Sequence, residues 1–358
     1  MATLVIDLRD KRPIWELPDS AREAIVAALP DGWTIKFMET LTDASGDGIP
    51  NVTEELLESV ADARVYMGYG IPTEVLEAGP NLEWVHSGAA GVANSLGPAM
   101  MSRDVLFTNS AGIHAVPMAE TVVAMIHYFA RGLDVAVRAQ RAGRWGATEY
   151  WAADAPVREI GASTVGVLGY GGIGREVAAR MAALGSRVLA VRRRPASASE
   201  PPDAAAAPGA PSAAPARIHV GAGGAILERA VTESDYLAVT LPETEETRGI
   251  LTRGRLFSMK PGSVLINVAR GRLVEEDGLL EALGPDGPLR GAGLDVFHEE
   301  PLPAGHAFYR HPRVLVTPHV SATTRGFWPR QTALITENLG RFTRGERLRN
   351  LVDKHAGY

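Results

Sequence analysis

The fold of this chain is decided by residues 165–174, which read VGVLGYGGIG. Gly169 suits a tight turn after an apolar strand, Gly171 lets a pyrophosphate approach the backbone, and Gly174 lets the next helix pack closely on the strand. The N-terminus of that helix offers unpaired N–H groups to phosphates. The sequence therefore predicts a dinucleotide-binding turn, with cofactor contacts at Gly169, Tyr170, Gly171, Gly172, Ile173 and Gly174.

Apolar segments around the turn complete a strand-helix-strand unit. Thr164–Leu168 predicts a buried strand, Arg175–Leu184 a helix, and Val188–Val191 a second strand. The same alternation runs through most of the chain, which favours an α/β fold with largely parallel sheets. Further strands are predicted at Leu4–Ile6, Thr34–Phe37, Val65–Met67, Leu82–His86, Val105–Thr108, Tyr236–Thr240, Ser263–Asn267, Gly291–Val296 and Val314–Thr317.

Length and composition predict two globular domains. The chain has 358 residues, of which 46% are hydrophobic and 22% charged. We expect Pro117–Arg131 to form a long helix that joins the domains. Pro195–Pro215, rich in Ala, Pro and Ser, is expected to be a flexible loop in the nucleotide fold; a lid near the adenosine end of the cofactor is the alternative.

Charge and cysteine content exclude several classes of protein. The net charge of −6 argues against a broad nucleic-acid surface. Because the chain has no cysteine, it has no disulfide and no thiolate metal site, and we expect no metal site of other ligands either. The N-terminus shows neither a signal-like nor a membrane-spanning pattern, so we expect a cytoplasmic protein without a membrane partner.

Three segments after the glycine turn carry charged and imidazole groups at predicted strand ends. They are residues 267–271 (NVARG), 295–301 (DVFHEEP) and 317–321 (TPHVS). Because the carboxyl ends of parallel strands form the ligand crevice, an arginine, a carboxylate and a histidine are expected to meet there. Each group alone has a plain structural alternative: His319 as a core histidine and Arg270 as a surface cation.

Together, these motifs resemble the D-isomer-specific 2-hydroxyacid dehydrogenase family over nearly the whole chain. The shared motifs also include residues 87–92 (SGAAGV), 119–120 (AE), 241–242 (LP) and 350–353 (NLVD). The resemblance implies a flavodoxin-like substrate domain of residues 1–111 and 323–358, a Rossmann-type NAD(P)-binding domain of residues 112–322, and a homodimer.

The resemblance also implies the roles of the site residues. Arg270 binds and polarises a 2-oxo acid, His319 is the acid/base, and Glu300 pairs with His319. The family spacing after Asp295 selects Glu300 over its neighbour Glu299. Asp295 is expected to face the nicotinamide, and we also expect cofactor contacts from Thr240 and Pro242.

The chemistry of ketone reduction agrees with these roles. Hydride addition creates negative charge on oxygen, so the site needs a proton donor and a fixed cation. A carboxylate beside a histidine favours the imidazolium, and arginine keeps its charge while gripping a carboxylate. Backbone N–H groups of Ala89, Ala90 and Gly91 are expected to bind the substrate carboxylate; a simple flexible turn is the alternative.

The second strand of the unit bears on the choice of cofactor. An NAD site commonly has an acid at this strand end, but residues 188–194 read VLAVRRR. Because arginine pairs with a 2′-phosphate, we expect NADP(H) to be preferred through Arg192 and Arg193. Mixed use, with NAD(H) also accepted, is the alternative.

The function predicted from these features is NADPH-dependent, reversible reduction of small 2-oxo acids such as glyoxylate or hydroxypyruvate to D-2-hydroxy acids. One alternative is a nucleotide-sensing protein without enzymatic activity on the same fold. Another is a phosphite or phosphoglycerate dehydrogenase. A formate dehydrogenase is disfavoured because that resemblance requires glutamine in place of Glu300.

Overall fold

The computed structural model describes residues 2–42, 51–194 and 217–357, so the expected loop at Pro195–Pro215 lies outside the described residues. The chain divides into two compact units, Met1–His114 with Thr323–Tyr358, and Ala115–Ala322. The first boundary follows His114 rather than residue 111. The His114 ring stacks on Phe327, and Arg330 donates a hydrogen bond to the Ile113 carbonyl, so both residues are held within the first unit.

The first unit contains a five-stranded parallel sheet in the order β2-β1-β3-β4-β5, which is the flavodoxin-like order. Successive residues of a strand point to opposite faces of the sheet. Val5 and Ile6 of β1 accordingly pack into two different groups of buried apolar side chains. The elements are β1 (Ala2–Asp7), α1 (Asp19–Ala27), β2 (Trp33–Phe37), α2 (Glu54–Val60), β3 (Val65–Gly68), α3 (Thr73–Ala78), β4 (Trp84–Ser87), α4 (Pro98–Ser102) and β5 (Leu106–Asn109).

The second unit contains a seven-stranded parallel sheet with helices α5 to α12. Its elements are α5 (Ala115–Ala130), α6 (Leu133–Arg141), α7 (Thr148–Trp151), β6 (Thr164–Leu168), α8 (Gly172–Ala183), β7 (Arg187–Arg192), β8 (Ile218–Ala222), α9 (Gly224–Glu233), β9 (Tyr236–Val239), α10 (Arg253–Ser258), β10 (Ser263–Asn267), α11 (Glu276–Ala282), β11 (Leu289–Leu294), α12 (Ala307–Arg310) and β12 (Val314–Val316). The chain then returns to the first unit as α13 (Phe327–Thr343).

The order of the seven strands is β12-β11-β10-β9-β6-β7-β8. Counted from β6, this is the Rossmann order with one further strand, β12, at the edge. The direction of winding reverses between β6 and β9, which pair side by side. In open parallel sheets a ligand binds outside the carboxyl ends of the strands at such a reversal. The predicted α/β class with a Rossmann-type unit is confirmed.

Several local expectations differ from the structure. The helix expected to join the domains is α5, which lies entirely within the second unit and packs on α8. Strand β8 is not predicted, because it is an edge strand whose residues are half-buried or exposed and so carry no buried apolar run. Within the described ranges, none of the helices combines the length and apolar character needed to cross a membrane.

Candidate functional site

The glycine turn follows β6 and opens α8, as the motif predicts. Gly169 has a φ of 106°, a backbone conformation that side-chain-bearing residues rarely adopt. A Cβ on Gly174 would lie 1.9 Å from the Gly169 carbonyl oxygen, so only glycine lets α8 approach its strand this closely. A Cβ on Gly171, by contrast, would meet no atom within 4 Å. The open space beside Gly171 fits a pyrophosphate at the N-terminus of α8.

Thr240 fixes the turn from the neighbouring strand. It follows β9, and its hydroxyl donates hydrogen bonds to the carbonyls of Leu168 and Gly169 at 3.2 and 2.8 Å. The two strand ends on either side of the winding reversal are thereby tied together. The Pro242 carbonyl accepts a hydrogen bond from Thr247 in the loop that follows. Cofactor contacts by Thr240 and Pro242 stay predictions.

The end of β7 carries arginines where an acid is common in NAD sites. Arg192 is the last residue of β7 and is half-buried, and Arg193 is exposed. The Arg193 guanidinium forms an ion pair with Glu246 at 3.2 Å. Glu246 lies in the loop after β9, and this contact was not predicted from the sequence.

His319 and Glu300 form the ion pair that the resemblance implies. Nδ1 of His319 lies 2.6 Å from Oε2 of Glu300, while Oε1 of Glu300 accepts a hydrogen bond from the Phe297 N–H at 2.8 Å. About a third of each side chain is exposed, at 36% for His319 and 34% for Glu300. With Nδ1 engaged by the carboxylate, Nε2 is the ring nitrogen that can exchange a proton with a bound substrate.

The electrostatics of the pair favour the imidazolium. The hydrogen bond with Glu300 raises the pKa of His319 above its ordinary 6.5, against burial and the Arg270 charge, which lower it. Burial raises the pKa of Glu300, but the hydrogen bonds from His319 and Phe297 and the nearby charges outweigh it, so the pKa is lowered. The Arg270 charge acts on both groups, which places its guanidinium in the same local environment.

Asp295 anchors the loop that carries His319. Its fully buried carboxylate accepts hydrogen bonds from the Thr317 hydroxyl at 2.6 Å, the Val320 N–H at 3.0 Å and the Ser321 N–H at 2.9 Å. His319 itself has a φ of 53°, in the left-handed region, and its N–H donates to the Asp295 carbonyl. The observed role of Asp295 is to position His319; the expected contact of Asp295 with the nicotinamide stays a prediction.

Arg270 is positioned by the residues on either side of it. The buried Asn267, at the end of β10, donates to the Arg270 carbonyl at 2.9 Å and accepts from the Ala269 N–H at 3.0 Å. A Cβ on Gly271 would lie 2.1 Å from the Phe297 carbonyl carbon. Glycine at this position therefore lets the Arg270 loop touch the segment that leads to Glu300.

The predicted substrate loop follows β4 in the first unit. The Ala89 N–H donates to Oγ of Ser87 at 3.2 Å and is therefore engaged. Among the described residues, the N–H groups of Ala90 and Gly91 find no acceptor, so they remain available for an anion. The loop is held by the Asn109 amide, which donates to the Ala90 carbonyl at 2.8 Å.

The structure thus brings Arg270, Glu300 and His319 to one edge of the second unit's sheet, beyond the ends of β10, β11 and β12. The turn at Gly169 lies at the same edge, because β6 runs parallel to these strands. Asn267 and Gly271 are positioning residues that were not predicted from the sequence. Both stand in the quoted segment NVARG, and a polar residue ending a buried strand next to a glycine was the available signal.

Comparisons with known proteins identify the family. The family model "D-isomer specific 2-hydroxyacid dehydrogenase, NAD binding domain" matches residues 123–321. D-3-phosphoglycerate dehydrogenase of Mycobacterium leprae is 31% identical over 349 residues, 96% of this chain and 60% of that protein. Glyoxylate reductase of Korarchaeum cryptofilum is 29% identical over 318 residues, 86% of this chain and 88% of that protein.

One solved structure is similar to this chain over its whole length. It is a D-isomer specific 2-hydroxyacid dehydrogenase from Xanthobacter autotrophicus Py2 in complex with NADPH and MES, 27% identical, with a TM-score of 0.74 over 100% of this chain and 99% of that chain. The chain therefore belongs to the D-isomer specific 2-hydroxyacid dehydrogenase family, a family of oxidoreductases, and the resemblance inferred from its motifs is confirmed.

The glycine turn can be tested with two matched substitutions. Gly174→Ala forces a Cβ against the Gly169 carbonyl, so we expect a loss of about 2–3 kcal/mol of stability from overpacking. For a unit of this size that corresponds to a fall of roughly 5–10 °C in melting temperature. Gly171→Ala meets only open space and should leave the melting temperature unchanged, but should weaken binding of the nicotinamide cofactor about tenfold or more by blocking its pyrophosphate. Equal thermal losses in both variants would contradict this account.

Proposed function

We propose that this protein is an NADPH-dependent reductase that converts small 2-oxo acids, of the glyoxylate or hydroxypyruvate type, reversibly into D-2-hydroxy acids. The observation that carries the proposal is the His319–Glu300 pair, 2.6 Å between nitrogen and oxygen, beside the Arg270 charge at the cofactor edge of the sheet. A proton donor and a fixed cation are what ketone reduction requires.

In this mechanism each group has one task. NADPH, when bound, supplies the hydride that the carbonyl carbon accepts. The His319 imidazolium gives its proton from Nε2 to the carbonyl oxygen as negative charge develops there, and Glu300 stabilises the imidazolium beforehand. The Arg270 guanidinium holds the 2-oxo acid and polarises its carbonyl. In the oxidative direction, neutral His319 takes the hydroxyl proton.

Recognition of the substrate carboxylate is assigned to the loop after β4. The available N–H groups of Ala90 and Gly91 suit a carboxylate, whereas the Ala89 N–H already serves Ser87. The name of the Korarchaeum relative supports glyoxylate as a substrate. The name of the Mycobacterium relative supports a phosphoglycerate-type substrate as the second candidate, and the chain spans 60% of that protein.

Catalysis is tested by initial rates with glyoxylate, hydroxypyruvate and 3-phosphohydroxypyruvate. His319→Gln removes the proton donor, so turnover should fall about 10²- to 10⁴-fold while NADPH affinity stays within about twofold. Wild-type turnover in this variant would overturn the assignment. Tight NADPH binding without turnover of any 2-oxo acid by the wild type would favour the nucleotide-sensing alternative.

The pH dependence of the reduction rate reports the His319–Glu300 pair. Because the reaction needs the imidazolium, the rate should be constant at low pH and fall as pH rises through the pKa of His319, which Glu300 raises above 6.5. Glu300→Gln removes this stabilisation and should move the fall to lower pH, so the variant loses more activity at pH 8 than at pH 6. Glu299→Gln, at the neighbouring exposed acid, is the control and should keep the wild-type profile.

We also propose that Arg192 and Arg193, at the end of β7, select NADPH. The Arg193 guanidinium now binds the Glu246 carboxylate, and a 2′-phosphate offers the same guanidinium a more highly charged partner. The NADPH named in the Xanthobacter complex supports this choice.

Cofactor preference is measured as kcat/KM with NADPH and with NADH. Arg192→Ser with Arg193→Ser should lower the NADPH value at least tenfold, because hydrogen bonds to charged groups contribute about 1.5–3 kcal/mol each, and should change the NADH value by less than about twofold. Glu246→Gln, which removes the competing carboxylate, should maintain or raise the NADPH value. Equal losses with both cofactors in the double variant would count against phosphate recognition.

A homodimer is the proposed assembly. Trp145 and Trp151 are 92% and 79% exposed in the segment after α6, and exposed indoles are typical of protein interfaces.

Light scattering should give twice the 38.1 kDa chain mass for the wild type, and the chain mass itself for Trp145→Ser with Trp151→Ser. Val26→Ser, at an exposed apolar residue of α1, should stay dimeric. A monomeric wild type, or a dimeric double variant, would contradict the proposal.

A further inference from the structure

The second unit has a cavity at the amino ends of its strands, on the edge of the sheet opposite the glycine turn. It is open to solvent on one side, has a volume of about 440 Å³, and lies beside the first residues of β9 and β11, Tyr236 and Leu289, and the last turn of α5 at Phe129. The charged residues that line it are Arg138, Arg158, Arg290, Arg313, Asp134 and Asp154. We refer to it as the arginine cavity.

Positive charge is in excess around the arginine cavity, although the chain as a whole has a net charge of −6. The buried Asp134 carboxylate is shared by two arginines, Arg138 at 3.1 Å and Arg290 at 2.9 Å. The buried Asp235 carboxylate, just outside the lining, is likewise shared by Arg158 at 2.9 Å and Lys260 at 2.7 Å. Each of these carboxylates therefore neutralises only one of its two cations.

Arg290 has hydrogen-bonding capacity that its neighbours do not use. Its Nη2 donates to Asp134 and to the Pro156 carbonyl, at 2.9 and 3.1 Å. Its Nη1 is buried and finds no acceptor among the described residues. This nitrogen has almost no accessible surface, so a ligand in the cavity would meet the Arg290 charge through the 20% of the side chain that is exposed.

Arg313 adds a second guanidinium whose partners are weak. Its Nη1 donates only to the carbonyls of Leu283, Gly284 and Leu289, at 3.4 to 3.5 Å, and it forms no ion pair with any described residue. Capping of the end of α11 explains the contacts with Leu283 and Gly284, whereas Leu289 is the first residue of β11. These contacts do not explain why Asp134 and Asp235 are each shared between two cations.

We propose that the arginine cavity binds a small metabolite that carries at least two negative charges on phosphate or carboxylate oxygens. Guanidinium groups present planar paired donors that match both kinds of oxyanion. A volume of about 440 Å³ lies in the range of small-molecule sites, and Phe129 and Tyr236 provide an apolar wall for a carbon skeleton. This site is separate from the proposed dehydrogenase site and independent of its reaction.

Binding is tested by calorimetry on the full chain saturated with NADPH, so that phosphate sites for the cofactor are filled. Inorganic pyrophosphate and citrate are titrated in separate arms at constant ionic strength. Saturable one-to-one binding in the pyrophosphate arm alone identifies a phosphate ligand, in the citrate arm alone a carboxylate ligand, and in both a general polyanion site. Absence of saturable binding in both arms would overturn the proposal, whatever the reductase activity.

Three variants locate the binding. Arg290→Gln should weaken binding at least about tenfold, because it removes one of the positive charges that line the cavity, whereas Arg229→Gln, at an exposed arginine of α9, should leave it unchanged. Asp154→Asn removes an exposed negative charge from the lining and should strengthen binding severalfold, which keeps the test valid if Arg290→Gln fails to fold. Equal effects of Arg290→Gln and Arg229→Gln, or weaker binding in Asp154→Asn, would place the anion elsewhere.

Discussion

The position of His319, at the proposed catalytic edge of the sheet, depends on one buried carboxylate. Asp295 follows β11, is fully removed from solvent, and must have its negative charge satisfied by hydrogen-bond donors. The donors come from residues 317–321, so this segment wraps around the Asp295 carboxylate. The His319 side chain, within the same segment, is partly exposed to solvent. The left-handed conformation of His319 is sustained by this anchor, and the pair with Glu300 then fixes the direction of the ring. The buried Asp295 carboxylate thereby sets the position of His319, the proposed acid/base.

Opposing influences act on the pKa of His319. Glu300 favours the imidazolium, whereas burial and Arg270 favour the neutral ring, and the carboxylate outweighs both. A group held in this balance can release and regain its proton, which the proposed reversible reaction requires. Gly271 allows the balance to exist, because a side chain there would separate the Arg270 loop from the segment containing Glu300.

The parallel sheet gives the second unit two edges of different character. The carboxyl ends of the strands gather the glycine turn and the three site residues, as the order of the strands requires. The amino ends gather the arginines that surround the arginine cavity, where Asp134 and Asp235 are each shared between two cations. Both groupings arise from the same alternation of strand and helix, which places alternate loops on opposite edges.

Much of this organisation was predictable from the sequence. The strands Thr164–Leu168 and Ser263–Asn267 have the bounds that their apolar runs predict, because buried parallel strands are continuous apolar segments. The edge strand β8 has no such run and was missed. The ordered motifs also identified the family and the residues expected to carry the chemistry, since each needs a particular residue type after a particular strand.

The residue types along the chain establish which chemical groups this protein can use: glycines for a pyrophosphate, arginines where an acid that binds the ribose is common, and a histidine with a carboxylate in reach. The packing of the folded chain establishes which of these groups are already engaged. Arg193 forms an ion pair with Glu246, and the Ala89 N–H donates a hydrogen bond to Ser87. Arg290 donates to Asp134, which lies 156 residues earlier in the chain. Such pairings depend on how loops and side chains from distant segments pack together, and the local hydrophobic periodicity of the sequence does not encode that packing.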